Sequence, residues 1–219
     1  MRIAGKKTID DWRDIEKNLC PSKNDNWDKA FDFFYQRIKT RYLSPIENII
    51  THGENLGEGF AVVNLQCSLI ETLESFINGC SSNYSENKRR TEWKKLEEII
   101  FTSNRKIFTS FFSKRKPFIY YKSIINGEDF YKNVRCALLH ETQTKENWII
   151  RFDFYNGKTS YLLEKEKKIL YRENFQKDLI EMISGYRDAI VNQNVFDEFD
   201  NKTLRENFIL KFNSICKNS

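Results

Sequence analysis

Histidine is scarce in this chain: there are two, His52 and His140, far apart in sequence. A histidine-based metal centre is therefore not expected. Cysteine is present but poorly organised. Cys20, Cys67, Cys80, Cys136 and Cys216 are odd in number, scattered, and contain no Cys-x-x-Cys pair, which argues against a disulfide framework and against a zinc site. Glycine-rich phosphate loops are absent: Gly53-x-x-x-Gly57-x-Gly59 fits neither the P-loop nor the dinucleotide spacing and reads as a loop. No Gly-x-Ser-x-Gly elbow occurs. No apolar run of membrane-spanning length stands out, and the start, Met-Arg-Ile-Ala-Gly-Lys-Lys, has no hydrophobic signal core. The expectation is a cytoplasmic protein without membrane contact, metal or cofactor.

What is present suits a globular domain. The 219 residues are 40% hydrophobic and include 18 Phe, 10 Tyr and 4 Trp, enough for a real core in one domain over 1–219. Charge is uneven. The net is +5, yet residues 88–116 carry ten Lys or Arg against three Glu, leaving the remainder slightly acidic. Trp93, Phe101, Phe108, Phe111 and Phe112 interleave with these cations. Such a segment fits a single-stranded nucleic-acid surface, with Lys114, Arg115, Lys116 and, further on, Lys132 meeting phosphates. It equally fits a solvated face over a core stripe of aromatics.

The pattern along the chain is mostly helical. Helices are expected over 8–20, from Trp27 to Tyr42 after a cap at Asn24 to Asn26, and from Pro45 toward Ile50. Residues 58–79 contain no Lys or Arg. Val62, Leu65, Leu69, Leu73 and Phe76 form one apolar face there, and Asn64, Cys67, Ser68, Glu71 and Ser75 form a small polar one. That composition predicts a central helix covered on both sides, stopped at Gly79. A polar loop over Ser81 to Lys88 precedes a helix from about Arg90 to Phe101 and a further stretch to Phe112, with Pro117 as punctuation. Asn147 to Tyr155 reads as a strand, Asn156-Gly157 as a hairpin turn, Lys158 to Glu164 as the return strand, and Ile169 to Arg172 as a third. Helices resume over Asn174 to Val191 and about Asp200 to Cys216. The fold class is mainly α, a helical bundle with a small antiparallel β-hairpin insert near 147–172.

The most informative stretch is 133–141, Asn-Val-Arg-Cys-Ala-Leu-Leu-His-Glu. A helix starting near Asn126 or Gly127 puts Glu128 and Asp129 in its first turn, where carboxylates suit the dipole. Phe130, Val134, Ala137 and Leu138 then face inward. Arg135 and His140 lie roughly 140° apart, flanking the opposite face with Lys132, Cys136 and Leu139 between them. Arg stays charged and grips phosphate oxygens in a fork, while His exchanges protons near neutrality. The plain alternative makes Arg135 a surface ion-pair residue and His140 a helix C-terminal cap. Glu71 on the central helix is a carboxylate that could orient Arg135 or His140, or an ordinary exposed glutamate.

Arg135-Cys-Ala-Leu-Leu-His140, with Val134 before it and Glu141 after, resembles the HEPN superfamily, whose all-helical domains carry an Arg-x4–6-His motif on a late helix. The likeness covers roughly 25–195, mostly as helix order. It implies a metal-independent endoribonuclease acting as a homodimer, with Arg135 and His140 catalytic; Glu71 and Asn64 on the polar face of the central helix, and Cys136 beside Arg135, are the candidate supporting residues. It also implies RNA as substrate, a toxin or antiphage setting, and control by an antitoxin or activating partner. The family usually has a polar residue after the arginine. Cys136 departs from that, so the resemblance also accommodates a non-catalytic module binding RNA, a nucleotide or a protein partner.

Overall fold

Short-range hydrogen bonding explains how the first helix starts. Thr8 and Asp11 form a capping box, the threonine hydroxyl accepting from the Asp11 amide while the Asp11 carboxylate accepts from the Thr8 amide at 2.6 Å. These bonds hold the Asp11 carboxyl below its usual range. The computed structural model describes residues 1–54, 56–84, 91–95, 104–121, 124–152, 161–164, 167–192 and 195–217.

In chain order the elements are β1 (Arg2–Ala4), β2 (Lys7–Thr8), α1 (Ile9–Glu16), α2 (Trp27–Ile38), α3 (Ser44–His52), α4 (Glu58–Ile77), β3 (Cys80–Tyr84) and β4 (Thr91–Lys95). They continue as α5 (Asn104–Lys114), α6 (Gly127–Phe130), α7 (Ala137–Glu141), β5 (Trp148–Arg151), β6 (Tyr161–Glu164), β7 (Lys167–Tyr171), α8 (Arg172–Asn192) and α9 (Asn201–Lys217). Two π-helical segments, Lys39–Leu43 and Tyr131–Cys136, bridge α2 to α3 and α6 to α7. The protein is mainly α, as its periodicity predicts.

The chain forms two compact units, each assembled from separated segments. The first comprises Met1–Ser44, Thr72–Ser103 and Ser184–Ser219; the second comprises Pro45–Glu71 and Asn104–Ile183. In the first, an aromatic core gathers Trp12, Phe33, Phe34, Phe76, Phe208 and Phe212. The Trp12 ring stacks on Phe212 at 4.2 Å, and Phe76 meets Phe34 at 4.8 Å and Phe212 at 4.9 Å. Arg205 is buried in this unit. Its guanidinium lies 4.7 Å from the Trp27 ring and donates to the carbonyls of Ile190 and Lys23 at 2.8 Å, so the buried charge is fully engaged. Gly79, with φ near +59°, ends α4 as its position predicts, and Asn207 Nδ2 caps the Ile77 carbonyl at 2.8 Å.

The second unit has its own aromatic core, centred on Phe130. That ring lies 4.8 Å from Phe112, 5.4 Å from Trp148 and 5.9 Å from Phe175. Phe108, Phe111 and Phe112 are buried, so these three rings belong to the core and offer no stacking platform to bases. Arg115 continues the same inward face of α5 at helical spacing and is fully buried, which removes it from the phosphate contacts expected of it. Trp93 and Phe101 lie outside the side chains described.

Two further expectations are corrected. A helix was expected from about Arg90 to Phe101, but Thr91–Lys95 is strand β4, paired antiparallel with β3, which occupies part of the expected loop. Thr91 and Trp93 favour a pleated strand, and a partner strand is at hand; residues 96–101 lie outside the described set. An antiparallel hairpin does lie within 147–172, but β6 and β7 form it, with Leu162 opposite Ile169. β5 instead pairs parallel to β7, Ile149 opposite Ile169, giving the strand order β5-β7-β6. The Asn156-Gly157 signal itself lies outside the described residues.

By length and composition α4 does meet the requirement for a membrane span, which corrects the expectation that no apolar run reaches that length. However, 61% of its apolar window is buried inside the protein, as for a core helix.

On α8, Asp178 has one carboxylate oxygen buried with no hydrogen-bond partner among the described residues. Burial and then the charge of Glu181 push its pKa to about 7. A carboxyl raised in the folded state stabilises the fold while protonated. That contribution is complete below pH ~4, its unfolded value, and is lost as pH rises through 7. Asp178→Asn should therefore be more stable than wild type at pH 8, on the order of 1 kcal/mol after solvent screening, with the gain gone by pH 4. Thermal unfolding across that range measures it; a gain that does not vary with pH would contradict it.

Candidate functional site

The helical run from α6 to α7 is built as its sequence predicts at the start and departs from it in the middle. Asn126 is extended and accepts from the amides of Glu128 at 2.9 Å and Asp129 at 3.3 Å. Gly127 packs so tightly on α5 that a Cβ there would sit 2.5 Å from the Phe108 carbonyl oxygen, which leaves no room for another residue. Phe130, Val134, Ala137 and Leu138 are buried, the inward face read from the period. Between Tyr131 and Cys136 the backbone widens into a π-helical segment. The Asn133 carbonyl there accepts from the Lys145 amide at 2.9 Å, a bond from beyond α7. Thr142, in the left-handed region, ends the run.

The widened turn shapes the site. Tyr131 and Cys136, five residues apart, lie close enough that Cys136 helps raise the Tyr131 hydroxyl above its usual range. Arg135 lies over the Tyr131 ring with its guanidinium carbon 5.9 Å from the centroid. From α4, Glu71 accepts from Arg135 Nε at 2.8 Å. Both side chains are about one-fifth exposed, 18% for Glu71 and 19% for Arg135, so the pair is largely shielded from water. Burial raises the Glu71 carboxyl above its usual range, against the charge and hydrogen bond of Arg135. Burial opposes the charged guanidinium, but the charge and hydrogen bond of Glu71 outweigh it and raise the Arg135 pKa. Arg135 thus remains a cation.

Among the described residues, Glu71 on the Nε edge is the one hydrogen-bond partner of the guanidinium. Among the described residues the two Nη groups donate no hydrogen bond. Four donor hydrogens of a fixed planar fork are free for an anion. Burial pushes the Tyr131 hydroxyl up to about 12, and Cys136 adds to it, so that hydroxyl stays protonated at neutral pH. Cys67, one turn before Glu71, is buried and its thiol pKa is raised by burial and by Glu71, which makes it an inert filler.

His140 sits exposed in the last turn of α7. Among the described residues it makes no hydrogen bond and no ion pair, so the Glu71 carboxylate is paired with the arginine and not with the histidine. Asn64 is half-buried on the same helix as Glu71, and Cys136 is half-buried beside Arg135. Lys132, Lys114 and Lys116 are exposed. Leu139, 54% exposed, lies between the arginine and the histidine in sequence. Among the described residues no group of three His, Cys, Asp or Glu side chains is placed to hold a metal ion.

Two contributors escaped the sequence reading. Tyr131 precedes Arg135 by four residues, a spacing that could have flagged it. Asp129 accepts from Trp148 Nε1 at 2.9 Å, Lys168 Nζ at 2.6 Å and Asn133 Nδ2 at 2.8 Å, tying β5 and β7 to the arginine helix. Burial alone would raise its carboxyl; the three hydrogen bonds outweigh that and hold it below the usual range. The small sheet therefore braces the helix that carries Arg135. Comparison of the chain with protein-family models, curated proteins and solved structures finds no match.

Proposed function

We propose that this chain is a metal-independent endoribonuclease of HEPN type, working in the cytoplasm as a homodimer within a toxin or antiphage system. The observation that carries the reading is the half-used guanidinium. Glu71 grips Arg135 by Nε and, among the described residues, leaves its Nη fork without a partner, on a helix whose last turn presents an exposed His140 unpaired among those same residues. The resemblance of Arg135 to His140 to the HEPN motif names the chemistry.

In that chemistry the 2′-oxygen of RNA attacks the adjacent phosphorus while the bond to the 5′-oxygen breaks. The 2′-hydroxyl proton leaves to a base, the 5′-oxygen receives one, and the products are a 2′,3′-cyclic phosphate and a 5′-hydroxyl. His140 serves as the proton-transfer group, and the Arg135 fork stabilises the charge that builds on the phosphoryl oxygens. Two copies, meeting through the face that exposes Leu139, would bring both Arg/His pairs to one cleft. A non-catalytic binding module is the second reading, favoured by Cys136, which stands where the family usually has a polar residue.

The test is RNA cleavage in EDTA by wild type beside His140→Ala, with analysis of product ends. Cyclic-phosphate ends formed by wild type and lost in the variant are expected. A folded, dimeric wild type that leaves varied RNAs intact would favour the binding module.

A further inference from the structure

A second feature, wholly within the first unit, has the chemistry of a polyanion site. Residues 4–7 and the exposed face at the end of α2 enclose an open groove of about 850 Å³. One wall is the β1–β2 turn, which Gly5 allows by adopting φ near +60°. Ile3 and Ala4 are buried behind it, and Arg37 Nη1 donates to the Ile3 carbonyl at 2.5 Å, fixing the turn to α2. The other wall runs from α2 into the π-helical segment Lys39–Leu43, which carries Thr40 and Arg41.

Three cations line the groove, Lys6, Lys7 and Arg41, against a single carboxylate, Asp32. Among the described residues, Lys6 and Arg41 have no carboxylate at ion-pair distance, and Asp32 pairs with none of the three cations. Lys7 is held over the Phe33 ring, its ammonium 5.4 Å from the centroid. Tyr35, 37% exposed, lines the same groove and brings an aromatic ring to it. Gln36 and Thr40 add hydrogen-bonding groups. An open groove lined by cations in excess over carboxylates, with a partly exposed ring, matches a strand of phosphates whose bases can stack.

We infer that this groove binds the backbone of single-stranded RNA, phosphates on Lys6, Lys7 and Arg41 and a base on Tyr35. The choice of RNA over other polyanions rests on the proposed nuclease reading; the groove's affinity for a polyanion does not.

The experiment is binding of a short single-stranded RNA methylated at every 2′-hydroxyl, which cannot be cleaved, followed by fluorescence anisotropy at several salt concentrations. A Lys6→Ala/Arg41→Ala double variant should bind at least about tenfold more weakly and flatten the dependence of log affinity on log salt by about 1.4, two phosphate contacts at roughly 0.7 each. Tyr35→Ala should lose about fivefold or more with the salt slope unchanged. A Lys167→Ala/Lys217→Ala control, removing the same charge elsewhere on the exposed surface, should match wild type. All these side chains but that of Lys7, which is left in place, are exposed, so the variants keep the fold.

Wild-type affinity in the double variant, an equal loss in the control, or no binding by wild type would each overturn the inference. Full competition by poly-glutamate or by anionic vesicles at equal charge would overturn RNA as the occupant. The two readings fail separately. Groove variants that lose binding in a protein that cleaves nothing would sink the nuclease alone. Intact cleavage with unaffected binding in the groove variants would sink the groove alone.

Discussion

Arg135→Ala and His140→Ala should each lower RNA cleavage by about 10²–10³-fold, the range found when one group stabilising a developing charge or transferring a proton is removed. The two variants should differ in stability, however. His140 is exposed and unpaired among the described residues, so its loss leaves the melting temperature within about a degree or two of wild type. Arg135 neutralises Glu71 at 2.8 Å in a shielded position. Removing it strands a carboxylate that burial already raises above its usual range. Glu71 then takes up a proton at still higher pH.

The sign follows. A raised carboxyl supports the fold while protonated and loses that support as pH rises through its folded-state value. Arg135→Ala should therefore cost about 1–3 kcal/mol at pH 8 and little at pH 5. Adding Glu71→Gln to Arg135→Ala should restore stability at pH 8 without restoring cleavage. Melting curves and cleavage rates across pH measure both halves. A pH-independent loss of stability would show that Glu71 is not left charged, and unchanged cleavage in Arg135→Ala would remove Arg135 from the chemistry.

Phe130→Ala is expected to be the most destabilising single change in the second unit. The ring touches Phe112, Trp148 and Phe175, is fully buried, and sits on the helix that carries Arg135. Truncating a buried phenylalanine costs about 3–5 kcal/mol through lost transfer energy and the cavity left behind. That corresponds to a fall in melting temperature on the order of 10 °C for a chain of this size. Phe130→Leu keeps most of the volume and should lose about half as much or less. Because Trp148 packs edge-on against Phe130, its fluorescence reports the loss directly. Equal stability of the two variants would mean that the cavity closes and that Phe130 is not the keystone of this core.

The sheet beside that core shows where local signals end. Asn156-Gly157 pointed to 147–155 pairing with 158–164, the nearest strand-like segment. The fold instead places β7 between β5 and β6, because β7 can bury Ile169 and Leu170. The same limit explains β4. Residues 91–95 carry both helical and strand signals, and the choice fell to a partner, β3, that no local pattern names. Arg115 reads in the sequence as one of a run of surface cations; it is buried because, just past the end of α5 with its amide still bonded to the Phe111 carbonyl, it follows Phe108 and Phe111 on the inward face. The π-helical segment at Arg135 left no mark in the hydrophobic period, since Phe130, Val134, Ala137 and Leu138 face inward regardless.

The sequence by itself determined the mainly helical class, the stop at Gly79 and the start of the arginine helix at Asn126, and it offered Glu71 only as one of two open readings. The first three depend on bonds or contacts made within a few residues, where a 3.6-residue period and a cap are sufficient information. Only the tertiary structure decided that Glu71 pairs with Arg135 through Nε, that Tyr131 and Cys136 lie close together, and that a basic groove forms where β1–β2 turns against α2. Those outcomes join residues up to 64 positions apart, and the energy that selects them comes from burial and charge pairing in the folded chain, which no local pattern carries.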